Sequence, residues 1–399
     1  MAKILVMPDG NWLSHVSRPL EIALVLRELG HEVEFAGEGA YMKLPREKGF
    51  RISPAASLAP GNVLKCSRSG RVNWWDDRRL ARSYQEDLRV FEETKPDLVL
   101  ADFRLSLSTS CDVAEIPLVV TLNAAWTDYY SVRTRAPEHL AATRILGRPL
   151  ANFLAPVLKA TIVNVDARPF RRLRKKLGLE PRGSIWDVWR GDLNLMVDTP
   201  EYAPTEGLPG SFHYIGPIVW EPDLNAPHWL EELDPDRRTI YFTMGSTGYP
   251  RFFEQAIEIF GGTDYQCVMT TAGMVTFDSI PSNFHVVDFA PGSMILEKSD
   301  VVVCQGGNGT IYQAMSQGVP IIGIPTMHDQ EFNLDRVVDL GIGIHLSELR
   351  FRPQHLLEAV ESVFGDARFE AAAQRQRSLL EAYDGPRTGA RLIDDFLAV

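Results

Sequence analysis

Three short stretches of this 399-residue chain carry residue types that can do chemistry. The first is Asn11-Trp12-Leu13-Ser14-His15, which follows an apolar run ending at Pro8-Asp9-Gly10 and precedes a stretch of helical spacing. An imidazole titrates near neutral pH and can take a proton from a hydroxyl, so His15 is a candidate general base. An alternative reading makes it the neighbour of a helix N-cap, with no catalytic role. The second stretch runs from Val301-Val302-Val303-Cys304 through Gln305, Gly306, Gly307, Asn308, Gly309 and Thr310 to Gln313 and Gly318. A buried strand there enters a glycine-rich turn and then a helix that stops at Gly318. Glycine lets backbone approach a ligand, and a helix N-terminus offers unpaired N–H groups with partial positive charge. Together they suit a diphosphate, with Asn308 and Thr310 able to cap the terminus or donate to phosphate oxygens. The pattern is not a GxxxxGKS/T loop. Packing alone would also explain the glycines. The third stretch, Pro325 to Gln330, follows another apolar run. A carboxylate beside an amide, Asp329-Gln330, suits the vicinal hydroxyls of a sugar; a helix N-cap is the plainer use.

These groups need elements to carry them. Ile4-Leu5-Val6-Met7 reads as a buried strand. Leu20, Ala23, Leu24, Leu26 and Leu29 then fall at helical spacing from Pro19 to Leu29, Gly30 stands where a C-cap belongs, and Val33 to Ala36 is the next strand. Such a strand–helix–strand unit seeds a parallel sheet. Asp97 to Ala101 and Pro117 to Thr121 add strands to it. A second series follows at Thr239–Thr243, Cys267–Thr270, Phe284–Val287, Val301–Cys304 and Pro320–Ile324. The expected fold is α/β, with two Rossmann-like doubly wound parallel-sheet domains. The first spans 1–205 and the second 236–384. A linker rich in proline and glycine joins them at 206–235, and 385–399 ends in an amphipathic helix carrying Leu392, Ile393, Phe396 and Leu397. Between two such domains lies a central cleft, with His15 on its N-terminal side.

Composition excludes several classes. Fifty-two acidic against 41 basic residues leave a net charge of −11, which speaks against a general nucleic-acid binder. The basic run Arg168 to Lys176 could suit an anionic membrane surface, although a solvated helix accounts for it more simply. Cys66, Cys111, Cys267 and Cys304 form no CxxC pair and read as reduced thiols. The N-terminus lacks the apolar core of a signal peptide, and no stretch reaches the roughly 18–20 apolar residues of a membrane span. A cytoplasmic protein without a transmembrane segment is expected.

With Phe289-Ala290-Pro291 through Gln330, the chain resembles the GT-B glycosyltransferases of family 1, which glycosylate macrolides, glycopeptides and plant natural products. The resemblance covers nearly the whole chain. The steps from Gln305 to Gln313 and from Gln313 to Asp329, eight and sixteen residues, match the family's spacing. Gly245-Ser246 looks like its phosphate contact, and Tyr214-Ile215-Gly216-Pro217 resembles its interdomain element. Phe289 stands where a tryptophan usually stacks on the base, and Gly292 replaces a glutamine. Gln305 replaces the histidine at the diphosphate, and Gln313 the glutamate at the ribose.

The resemblance implies that Ser246, Phe289, Gln305 to Thr310, Gln313, Asp329 and Gln330 hold a UDP- or dTDP-linked sugar. It makes His15 the base and Asp102, after the strand ending at Ala101, the carboxylate that orients it; Asp102 could instead cap the next helix. The usual His-x-x-Pro is here one residue longer, His15 to Pro19. The implied reaction is a single in-line displacement that inverts the anomeric centre. With no Asp-x-Asp loop placed to hold a metal, neither metal nor cofactor is expected. The acceptor should lie against the first domain, between Leu58 and Trp75 and between Asn123 and Ala151, where Trp74, Trp75, Trp126, Tyr129 and Tyr130 could line an apolar pocket. Two rivals stand beside this reading. A sugar-nucleotide epimerase on the same fold would need extra carboxylates. A catalytically silent partner of another glycosyltransferase is favoured by Gln305 and Gln313 and disfavoured by the intact His15, Asp102 and Asp329-Gln330. Nothing in the sequence speaks to the oligomeric state.

Overall fold

The computed structural model describes residues 1–56, 75–138, 140–245 and 248–398. The chain forms two compact units. One comprises Met1–Ala136, Leu146–Trp220 and Tyr383–Val399, the other Pro137–Ile145 and Glu221–Ala382.

The first unit holds β1 (Lys3–Pro8), β2 (Glu32–Ala36), β3 (Ile52–Ser53), β4 (Leu98–Asp102), β5 (Leu118–Leu122), β6 (Leu193–Met196) and β7 (Phe212–Tyr214). They form one seven-stranded sheet in the order β3-β2-β1-β4-β5-β6-β7. Neighbours are parallel, with Pro8 beside Asp102. Strands of continuous apolar residues are what a sheet covered on both faces requires; Leu98 to Ala101 and Leu118 to Val120 are all buried. The second unit holds β8 (Thr239–Thr243), β9 (Gln266–Thr270), β10 (Phe284–Val287), β11 (Val301–Cys304), β12 (Ile321–Gly323) and β13 (Gly343–His345). Their order is β10-β9-β8-β11-β12-β13, and Thr243 lies beside Cys304. Strand order reverses between β1 and β4 in one sheet and between β8 and β11 in the other. Loops at the carboxyl ends of such neighbours diverge and leave a crevice for ligands. Residues 9–15 and 102–104 border the first crevice, and residues 244–245 and 305–310 the second.

Two elements depart from the sequence expectation. The first helix begins at Leu13, not Pro19, and Pro19 lies inside it. Proline's fixed φ is helical, and the helix absorbs both the missing N–H bond to the carbonyl four residues back, here that of His15, and the crowding of that carbonyl by the ring. His15 therefore sits in the first helical turn, not in a loop before it. The stretch 206–235 is not all linker: it contributes β7, whose Phe212 is buried, and the two units divide at Trp220. The last helix starts at Gly385, where Asp384 accepts a hydrogen bond from the Arg387 N–H and Pro386 occupies the first turn. It packs on the helix Leu13–Glu28 within the first unit and buries Ala390 and Ile393. His31 belongs to this framework. It is buried, accepts from the Ala2 N–H at Nδ1 and reaches Asp394 through Nε2 at 3.1 Å.

Candidate active site

At the β1/β4 crevice, Asp102 ends its strand with a side chain that solvent does not reach. Its Oδ1 lies 2.6 Å from His15 Nδ1 and accepts from Arg18 Nη2 at 2.8 Å. Its Oδ2 accepts from Arg18 Nε at 3.0 Å and from Thr121 Oγ1 at 2.6 Å. Burial alone would push this carboxyl up. The Arg18 guanidinium, the His15 imidazole and the hydrogen bonds outweigh burial and hold it below the ordinary carboxylate range. An ionised carboxylate only accepts, so the proton of the short contact sits on His15 Nδ1. Arg18 Nη2, 3.1 Å from the same nitrogen, therefore neighbours it without bonding. The Nε2 lone pair is left to act as a base. Asn123 Oδ1 accepts from Arg18 Nη1 at 2.8 Å and fixes the far end of the fork. Asp9, also buried, bonds the Asn11 N–H and side-chain amide; burial pushes its carboxyl up against the pull of His15.

The imidazole is held by packing as well. Phe103 lies flat against it, with centroids 4.6 Å apart and planes 6° from parallel. Phe103 has φ +57°, a left-handed conformation that costs a side-chain-bearing residue roughly 1–3 kcal/mol. That strain turns the chain so that residue 102 points at Nδ1 while residue 103 lies on the ring. The aromatic chain continues from Phe103 to Trp189 at 4.8 Å and from Trp126 to Trp189 and Trp186 at 6.0 and 5.0 Å. Among the described residues, the buried indole N–H groups of Trp186 and Trp189 have no partner. Trp75 is buried against Phe170, a core position. Tyr129 packs on Phe212 and Tyr130 faces Lys159. Leu58 to Trp74 lie outside the described residues.

At the β8/β11 crevice, the helix Asn308–Gln317 starts from Gly307 with no side chain capping it, and ends at Gly318 with φ +69°. Asn308 is thus the first helical residue, not its cap. Gly306 has φ +85°, and a Cβ there would come 2.6 Å from Leu334. Gly245 at the end of β8 has φ +51°, and a Cβ would meet the Gln305 amide at 2.1 Å. Both glycines are demanded by the fold itself. Gly309 is different: a Cβ there meets nothing within 4 Å. Gln305 is buried, and its Oε1 has no partner among the described residues. Ser246 lies outside them.

Around this loop the other candidate residues divide. Phe289 is 63% exposed, with its ring open to stacking. Asp329 is half-buried in the first turn of the helix His328–Asp339. Gln330 is buried, and its Oε1 accepts from both the Thr326 N–H and hydroxyl at 2.8 and 3.0 Å. Its carbonyl thus satisfies the start of its own helix. Gln313 donates to Glu221 Oε1 at 3.1 Å. Glu221 also accepts from the Ser293 N–H and hydroxyl at 2.5 Å each, at the start of the helix Gly292–Glu297. A carboxylate from a distant segment is therefore held against Gln313.

Residues 256–388 match the family model described as erythromycin biosynthesis protein CIII-like, C-terminal domain. A PGL/p-HBAD biosynthesis glycosyltransferase of Mycobacterium tuberculosis (strain ATCC 25177 / H37Ra) is 33% identical over 96% of this chain and 89% of its own length. The chain belongs to the family 1 GT-B glycosyltransferases. A PGL/p-HBAD biosynthesis rhamnosyltransferase of Mycobacterium bovis (strain BCG / Pasteur 1173P2) is 32% identical over 97% of this chain and 85% of its own length. Among solved structures, the spinosyn rhamnosyltransferase SpnG has the same fold, with a TM-score of 0.74 at 18% identity over 99% of each chain.

Three residues of this glycosyltransferase escape a reading of its sequence. Arg18 has one visible signal, the extra residue between His15 and Pro19. Phe103 has none, because a left-handed φ at phenylalanine has no local signature. Glu221 lies 92 positions from Gln313 along the chain, so only folding pairs them.

Proposed function

We propose that this glycosyltransferase moves a sugar from a nucleoside diphosphate to a hydroxyl of an apolar or aromatic small molecule, with inversion, and that His15 is its general base. The observation that carries this reading is the 2.6 Å contact of His15 Nδ1 with a buried, ionised Asp102, which leaves Nε2 as the proton acceptor. Nε2 takes the acceptor hydroxyl proton as the oxygen bonds the anomeric carbon. The bond from that carbon to the diphosphate oxygen breaks, and the nucleoside diphosphate leaves with the electron pair. The uncapped amides at Asn308 and Gly309 stabilise the charge that develops on it, a task suited to fixed dipoles. Phe289 stacks on the base, and Asp329 and Gln330 read the sugar. Gln305 flanks the diphosphate, with Gly306, Gly307 and Thr310 completing the cradle. The aromatic chain starting at Phe103 forms the acceptor wall.

The donor is UDP- or dTDP-linked; SpnG, 17% identical, has been solved with thymidine diphosphate. Glu221 supplies the ribose-binding carboxylate that position 313 lacks. Glu221→Gln should weaken nucleoside diphosphate binding roughly tenfold or more, as loss of a hydrogen bond to a charged group costs about 1.5–3 kcal/mol. Calorimetric titration with UDP and dTDP measures this and tells the two donors apart.

Gly309→Ala tests the cradle. The residue has room for a methyl group, so the variant should keep or slightly gain thermal stability, as alanine in a helix is favoured over glycine by about 1 kcal/mol. Its donor KM should rise several-fold; an unchanged KM would place the diphosphate elsewhere. Transfer should not need a metal, and activity should persist in EDTA. Cys111, Cys267 and Cys304 are free and buried, in keeping with reducing, cytoplasmic surroundings. Incubation with a panel of nucleotide sugars and pooled acceptors tests the whole reading. A glycoside product is expected, and a new sugar nucleotide in its place would mean epimerisation.

A further inference from the structure

The helix Arg148–Asp166 buries Ala151, Ala155 and Val163 and turns a different face outward. On that face Leu150 is 47% exposed, Phe153 74% and Val157 67%, spaced by three and four residues. Such spacing places them in one stripe. No charged residue interrupts the sequence from Pro149 to Leu158. Farther along, a shallow groove is lined by Pro156, Val157, Ala160, Asn164 and Val165 and ends at Arg168. There the basic helix Arg168–Lys176 takes over, with Arg168, Arg172, Lys175 and Lys176 exposed and Phe170 and Arg174 buried. From Arg148 to Lys176 the lone acidic residue is Asp166. Burial pushes its carboxyl up to about 7, so part of it is uncharged at neutral pH.

We propose that this apolar stripe and the basic helix beside it form a surface that lies on an anionic lipid bilayer. Large exposed apolar side chains in a row are uncommon on proteins that stay in water. An interfacial helix pairs such a row with cations that meet anionic headgroups. Charge selects the occupant. The whole chain carries −11, so anionic lipid repels most of its surface and attracts this face. A second copy docked on the same face would bring its own cations against these. By length and composition Arg148–Lys176 could also cross a membrane. Spanning would strip the packed face from its unit and carry Lys159, Asp166 and Arg168 into hydrocarbon. The surface lies outside the residues assigned to transfer, and its test does not depend on them.

The test is co-sedimentation of the full chain with vesicles of phosphatidylcholine alone and with one-third phosphatidylglycerol. The expected result is at least tenfold stronger partitioning onto the anionic vesicles, weakened as salt rises. Phe153→Asp with Val157→Asp should abolish it, and Lys175→Glu with Lys176→Glu should reduce it at least tenfold. Circular dichroism and UDP affinity of both variants should match the parent, since the altered side chains are exposed. Equal partitioning onto both vesicle types, or none onto either, would overturn the proposal. So would a dimer in light scattering that Phe153→Asp disperses, or a Phe153→Asp variant that changes acceptor KM with vesicle binding intact.

Discussion

His15→Ala should lower kcat by roughly 10²–10⁴, the usual contribution of a positioned general base. The variant should keep the donor affinity of the parent. The nitrogen lost carries a lone pair, a tautomer fixed at the other ring nitrogen and a buried carboxylate behind it. Asp102 cannot substitute, because both of its oxygens remain bonded by Arg18 and Thr121. His15→Gln should be as slow as His15→Ala, since an amide donates and accepts hydrogen bonds without taking a proton at neutral pH. Single-turnover kinetics with saturating donor separates chemistry from binding. A His15→Ala enzyme with the parent's kcat would remove the histidine from the mechanism.

Arg18→Met should produce the largest loss of stability of any single change at this site. Arg18 and Asp102 are a buried pair, and removing one member strands the other without compensation, at about 3–5 kcal/mol. The effect should depend on pH in a direction that can be worked out. In the parent, the Asp102 carboxyl is held below its ordinary value of 3.8. Its contribution is therefore fully present above that value and is lost as pH falls through the lower folded one. Without Arg18, burial dominates and the native state favours the protonated acid. The gap in stability between variant and parent should then narrow as pH falls from neutral toward 4, where the stranded carboxylate can take a proton. Urea denaturation of both proteins across that range measures it; a gap that stays constant or widens would mean that Asp102 is not the group Arg18 compensates. Arg18→Lys should recover part of the stability but not the two-oxygen geometry, because an ammonium cannot make the fork. Since Arg18 acts on His15 through Asp102, kcat should fall in both variants with little change in donor KM.

Which parts of this protein could be read ahead of the structure follows from how local their causes are. The strands β8 to β12 are runs of apolar residues bounded by turn residues, and such runs announce themselves. Strands β3, β6, β7 and β13 did not: they are as short as β10 to β12 or shorter, and each is interrupted by a polar residue. In β6 that residue is Asn194, a buried amide spent on the Gly191 and Ser211 backbones. The helix Asn308–Gln317 was legible at both ends because glycine marks them. Pro19 misled about the first helix, since proline's φ is helical and this helix absorbs the lost hydrogen bond and the ring crowding that ordinarily favour a break.

For the site, residue type and spacing along the chain were enough to nominate His15 and the glycine-rich turn, because each belongs to one short segment after a strand, and the family resemblance added Asp102. Tertiary structure alone decided what surrounds them. It brought Arg18 and Thr121 onto both oxygens of Asp102, folded Phe103 under the imidazole, turned Gln330 back onto Thr326 and set Glu221 against Gln313. It also left Phe153 and Val157 facing outward on their helix. Local pattern records what a segment prefers by itself. Partners drawn from separate strands and loops exist only once the sheets have formed and burial has made each unpaired polar group costly.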